Sequence, residues 1–221
     1  MSRKVKFDDT AATDAAPLEA GNFSAWLADI RRSLESGGGM TVPCGACRGC
    51  CTSSYFIHVG EDEKDSRRAI PKALLFPAPG QTGVSVMGFG RDGRCPMLVD
   101  NECSIYGSRP RTCRQFDCRV LAAAGLEDEC GRPLISAQAK RWRFSFDAPE
   151  DERAFRAVRS AARFLVDNTA LFPSGFVPSH APQQAILAIK VHGLFLEEGA
   201  GLDAVDLSGF VQRVKMCIDA G

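Results

Sequence analysis

The sequence predicts an α+β protein: a small, irregular, cysteine-rich metal-binding core with short strands, followed by a mainly helical C-terminal region. Three observations predict it. Eight of the ten cysteines fall into two groups, Cys44 to Cys51 and Cys95 to Cys118. Glycine and proline interrupt the apolar runs between and around those groups, leaving pieces too short for long elements. From about residue 136 the cysteines thin out and apolar residues recur at helical spacing.

Residues 1–21 are rich in Ala, Asp and Thr without periodicity and read as a flexible arm. Residues 22–135 read as the cysteine-cluster domain and 136–221 as the helical region. Asn22 opens a helix that carries Phe23, Trp26, Leu27, Ile30 and Leu34 on one face and stops at Gly37. Ser54 to Val59 reads as a strand, and Glu61 to Ala69 as a brief helix whose leading carboxylates suit its N-terminus. Leu75 to Gly93 should be loop with one strand at Val84 to Met87. Asp100-Asn101, between short apolar runs, is a hairpin turn that folds Cys95 and Cys103 toward each other. Pro110 starts a helix running to about Ala123, with Gly125 as its stop.

In the helical region, Pro149 starts a helix with Phe155, Val158, Ala162, Leu165 and Val166 on one face and Arg153, Arg156, Arg159 and Arg163 on another. The arginine face is a solvated surface or, as the alternative, a docking face for a protein partner. A second helix begins at Pro182 and ends near Gly199, and a third, Ser208 to Asp219, buries Phe210, Val211, Val214, Cys217 and Ile218.

Lys and Arg total 27, equal to Asp and Glu, so no global field favours nucleic acid or an anionic membrane. No stretch is long enough to span a bilayer, and the N-terminus lacks the apolar core of a secretory signal. The expected compartment is therefore the cytoplasm, where thiols stay reduced and ten cysteines serve something other than disulfides. Metal ligation leads. Disulfide pairing of the even count is the alternative, and adjacent Cys50 and Cys51 would bridge each other only with strain.

CGACRGCC, residues 44–51, sets Cys44, Cys47 and Cys50 two residues apart. A C-x-x-C turn lets two thiolates meet one metal while backbone amides remain free to bond the sulfurs. Three such cysteines with a distant cysteine followed by proline, here Cys95-Pro96, echo the bacterial ferredoxin arrangement for an iron–sulfur cluster. Consecutive side chains point apart, so Cys50 and Cys51 argue for a second centre. Cys113 and Cys118 lie about 140° apart on an ideal helix, so either the helix breaks or they face different partners. The candidate ligands are Cys44, Cys47, Cys50, Cys51, Cys95, Cys103, Cys113 and Cys118, forming one or two centres of Zn(II) or iron and sulfide. Thiolates alone do not separate those metals. Arg109, Arg111, Arg114 and Arg119 stand among the last ligands, where their charge would offset the thiolates; a solvated basic face is the alternative.

Cys44 to Cys51, Cys95-Pro96, CSIYGSRPRTCR and Cys118 together resemble the CxxCxxCC, or YkgJ-like, family of zinc- or iron-chelating domains over about residues 44–120. The resemblance implies a metal or iron–sulfur centre in a small domain, with Ile105, Tyr106, Arg109 and Pro110 packing around and supporting the sulfurs. The same family has a distant likeness to a flagellin lysine N-methylase, which implies an enzyme using S-adenosylmethionine. GFGRDG, Gly88 to Gly93, fits G-x-G-x-x-G literally, but Cys95-Pro96 follows at once where a helix is required, so it reads as a turn. Three functions follow in order: a metal-binding protein, an iron–sulfur-dependent redox or methyl-transfer enzyme, and a zinc-stapled interaction module. No catalytic residue is assigned. His58 on its strand would be a substitute ligand or a surface residue, and His180 and His192 carry no chemistry. Cys217 is structural, and Cys130 beside Gly131 is an accessory thiol or without a role.

Overall fold

The computed structural model describes residues 16–127, 133–197 and 207–219. In chain order the elements are β1 (Leu18–Asn22), α1 (Phe23–Ser36), β2 (Ile57–Val59), α2 (Lys64–Ala69), β3 (Leu75–Pro77), β4 (Ser85–Met87), β5 (Leu98–Val99) and β6 (Glu102–Cys103). They continue with α3 (Arg111–Gln115), α4 (Arg119–Ala124), α5 (Pro133–Arg141), β7 (Trp142–Ser145), α6 (Pro149–Asp167), α7 (Ala181–Val191), α8 (Leu194–Glu197) and α9 (Leu207–Asp219). The class is α+β, with short strands and a helical C-terminal region.

Local signals set the first helix. The Asn22 side chain accepts from Ala25 N at 3.0 Å, and Gly37 ends α1 in the left-handed conformation. Phe23, Trp26, Leu27 and Ile30 then enter a large hydrophobic cluster that also takes Leu121, Ile135, Val158, Leu165, Ile189 and Phe210. The cluster thus draws residues from both sides of residue 136. A smaller cluster of Val59, Ile70, Met87 and Met97 lies under the three-stranded antiparallel sheet ordered β2-β4-β3.

Several expectations need correction. Leu18 to Gly21, placed in the flexible arm, belong to β1, which pairs in parallel with β7. That pairing joins segments over a hundred residues apart, so no local pattern announces it. Residues 1–15 lie outside the described residues, as do Cys130 and the Gly199 helix end. Leu75 to Pro77 is a strand, not loop, because β4 gives it a partner. The helix expected from Pro110 to Ala123 is interrupted at Phe116 to Cys118, between α3 and α4. The helix from Pro182 divides at His192-Gly193 into α7 and α8. On α6, Val166 is exposed; on α9, Cys217 is exposed and Ile218 half-buried, whereas Phe210, Val211 and Val214 are buried.

The break after α3 has an identifiable cause. Asp117, 2% exposed, accepts from Trp26 Nε1 at 3.0 Å, from Arg119 N at 2.9 Å and from Arg119 Nη2 at 2.7 Å. Arg119 also donates to the carbonyls of Ala20 and Thr41. A buried carboxylate with this many donors repays its desolvation only if the chain turns there to deliver both side chains. The turn then hands Cys118 to the wall of a cavity.

Candidate metal centre

A cavity of about 510 Å³ lies between the large cluster and the small sheet. Cys44, Cys47, Cys50, Cys51, Cys95, Cys103, Cys113 and Cys118 all line it. Separate local constructions bring them there. A turn in which Cys47 N donates to Cys44 O at 2.9 Å carries the first two, and a single 3-10 turn, Cys50–Thr52, carries the adjacent pair. Cys95 N donates to Cys51 O at 2.7 Å. The β5–β6 hairpin, with Leu98 opposite Cys103, returns Cys103 to the region of Cys95. Its turn residues Asp100 and Asn101 have φ of 47° and 61°, the left-handed pair that a two-residue hairpin requires. Finally, α3 and the Asp117 turn present Cys113 and Cys118.

The described cysteines are free thiols. Cys118 is buried and its sulfur accepts from Trp142 Nε1 at 3.2 Å. The Sγ atoms of Cys50 and Cys51 come to 3.9 Å, so the divergence expected of consecutive side chains is only partly realised. Cys50 is exposed and lines the cavity. Burial pushes the thiols of Cys44 and Cys95 up, and those of Cys113 and Cys118 up to about 12. Neighbouring sulfurs add to each rise. The Cys50–Cys51 hydrogen bond pushes Cys50 up and Cys51 down, with Arg48 and Arg109 assisting the latter.

The arginines divide by role. Arg109 lies 3.6 Å over the Tyr106 ring, and its charge favours the thiolates of Cys44, Cys51 and Cys113. Tyr106, Ile105 and Pro110 line the cavity beside it. Arg111 instead pairs with Asp62, and Arg114 faces Glu63 at 3.8 Å. Glu63 also accepts from Gly60 N at 2.8 Å and from Arg111 N, tying the turn before α2 to the start of α3. Asp62 and Glu63 therefore clamp α3 from just ahead of α2. His58 is exposed on β2, His180 precedes α7, and His192 is buried with Nδ1 2.6 Å from Ile189 O. Gly88 to Gly93 forms a turn closed by Gly90 N to Arg94 O at 2.8 Å, with no helix opening on it.

Two lining residues had no sequence signal. Arg48 holds the carbonyls of Gly45 and Cys47 at 2.8 and 2.9 Å, shaping the C-x-x-C turn. Gln138 comes from α5, and its buried Nε2 has no hydrogen-bond partner among the described residues. A buried N–H without an acceptor is costly unless a ligand supplies one.

The donor set fits a thiophilic metal: eight sulfurs and a compensating arginine around one apolar-walled space. Among the described residues, however, no three Cys, His, Asp or Glu side chains already form a metal-holding group. The sulfurs ring the space without converging on a point.

Residues 43–131 match the CxxCxxCC family model. Its description is "Putative zinc- or iron-chelating domain". The matched CxxCxxCC segment contains every cysteine of the cavity, whereas Gln138 and Trp142 lie beyond it. No curated protein and no solved structure matches the chain. No helix among the described residues is long and apolar enough to cross a membrane.

Proposed function

We propose that the chain holds iron, as cysteine-ligated iron–sulfur centres, in the cavity lined by Cys44, Cys47, Cys50, Cys51, Cys95, Cys103, Cys113 and Cys118. The observation that carries this reading is that all eight sulfurs, from distant stretches of the CxxCxxCC segment, line one space. The cysteine spacing favours a cluster over a lone ion: Cys44, Cys47 and Cys50 at two-residue gaps, with the distant Cys95-Pro96, echo the bacterial ferredoxin arrangement.

In this reading the chain's own groups divide the work. Arg109 and Arg48 offset the negative charge of the thiolates, and the Trp142 N–H steadies the Cys118 sulfur. Ile57, Met87, Met97 and Ile135 give the space apolar walls, while Cys44 and Cys50 remain exposed. The bound group would supply electron transfer or structural support.

Oxygen-free purification followed by assay of iron, zinc and acid-labile sulfide per chain tests this. Iron with matching sulfide and broad visible absorption is the expected result. Stoichiometric zinc without sulfide would overturn the cluster while keeping a thiolate metal site, and a protein that takes up neither metal would overturn both.

A further inference from the structure

We infer that the eight thiols form two four-sulfur sites, Cys44, Cys47, Cys50 and Cys118 on the helical side of the cavity and Cys51, Cys95, Cys103 and Cys113 on the sheet side. This division rests on the chelating function proposed above and specifies its ligands. Each site would take a thiophilic metal or a four-cysteine cluster.

The helical side is fixed by Cys118, which belongs to the large hydrophobic cluster and accepts from Trp142. Cys47 lies on that side too. A Cβ added at Gly49 would meet Leu134 O at 3.3 Å and Cys47 Sγ at 3.5 Å, so this sulfur sits beside the start of α5. Cys44 follows through its turn with Cys47, and Val42, whose carbonyl accepts from Cys44 N, packs against the large cluster.

The sheet side is fixed by Cys95, which packs against the small cluster with Ile105. Its backbone bond to Cys51 and the β5–β6 hairpin bring Cys51 and Cys103 to the same place. Cys113 arrives on α3, which is tied to the sheet by Thr112 Oγ1 donating to His58 O at 2.9 Å. For Cys118 and Cys113 electrostatic influence follows the same division: Cys118 feels Cys44 and Cys47, and Cys113 feels Cys95, Cys51 and Cys103. Cys50 touches Cys51 at 3.9 Å and stands at the seam, and its C-x-x-C step from Cys47 assigns it to the helical set. The peptide bond between Cys50 and Cys51 then makes the two sites immediate neighbours, and Arg109 influences sulfurs of both.

The test uses the full chain, stripped of metal without oxygen, with Zn(II) alone as the probe. After one equivalent of zinc, free thiols are alkylated and chains carrying four protected clustered cysteines are isolated by mass and mapped. The expected result is protection of one complete set in each such chain, and of all eight cysteines at two equivalents. Saturation at one zinc, or protected foursomes that mix the sets such as Cys47 with Cys103, would overturn the division alone. No protection at any ratio would overturn the chelating function as well. Because the native sequence is used, misfolding of a variant cannot imitate either result. Cys95→Ser/Cys103→Ser should retain one zinc, whereas Cys47→Ser/Cys103→Ser should retain none; equal loss from both pairs would also overturn the division.

Discussion

Around α6 and α7, Val158, Leu165, Ala188 and Ile189 are fully buried among apolar neighbours, and long helices satisfy their own backbone groups. Around the cavity, the small cluster buries Val59, Ile70, Met87 and Met97, the strands run two or three residues, and Gln138 keeps an unmet N–H. The helical side carries its stability in packing. The cysteine side gathers eight sulfurs around the cavity, and on the proposed reading metal bonds would supply the folding energy there. Asp117 and Arg119 stand where the two sides meet: Asp117 accepts from Trp26 of the large cluster, and Cys118 between them lines the cavity.

The comparison breaks most severely at that junction. Asp117→Ala leaves the Arg119 guanidinium buried without its partner and should cost about 3–5 kcal/mol in urea unfolding. Metal content should fall with it, since the turn positions Cys118. A loss under about 1 kcal/mol would mean that water replaces the carboxylate and that the junction is weak.

Within the helical side, Leu165→Ala should cost about 2–5 kcal/mol of stability while bound metal per folded chain stays unchanged. Loss of metal in the folded variant would show that the two sides are less separable than their packing indicates.

Gly125 ends α4 at φ 66°, and a Cβ there would meet the Arg159 guanidinium at 2.5 Å. Gly125→Ala should therefore destabilise by about 1 kcal/mol, with Arg159 moving aside. Thermal unfolding of the variant measures this; an unchanged midpoint would show that the backbone relaxes freely.

The smallest effect should appear in acid. Asp151 is held down to about 2 by Ser24, then Asn22, and by the Asp147 and Ala148 amides. Its folded value lies below the ordinary 3.8, so its stabilisation is full above about pH 4 and lost as pH falls through 2. Asp151→Asn should flatten the stability profile in that window only.

What could be read in the sequence depended on whether its cause was local. Asn22 and Gly37 around α1, the Asp100-Asn101 turn and Gly125 as a stop each act within a few residues, and the structure carries each of them. The β1–β7 pairing, the Glu63 clamp on α3 and the Trp26–Asp117 hydrogen bond join residues through space, so periodicity gave no warning of them. Arg119, one of the arginines whose charge is expected to offset the thiolates, spends its donors on Asp117 and two carbonyls while its charge still favours the Cys44 thiolate. At the site, the spacing of the cysteines marked the lining sulfurs, but Gln138 and Trp142 reach them only through the packing of α5 and β7. Exposed Cys217 shows the reverse error, a helical stripe continued one turn past the core.

The most direct measurement is hydrogen exchange, resolved along the chain, on protein purified without oxygen and compared before and after chelation of its metal. Exchange should accelerate across residues 44–59 and 95–118 while 149–191 stays protected. Unchanged exchange around the cysteines, or an equal rise in both regions, would contradict an account in which metal organises one side of the molecule and packing the other.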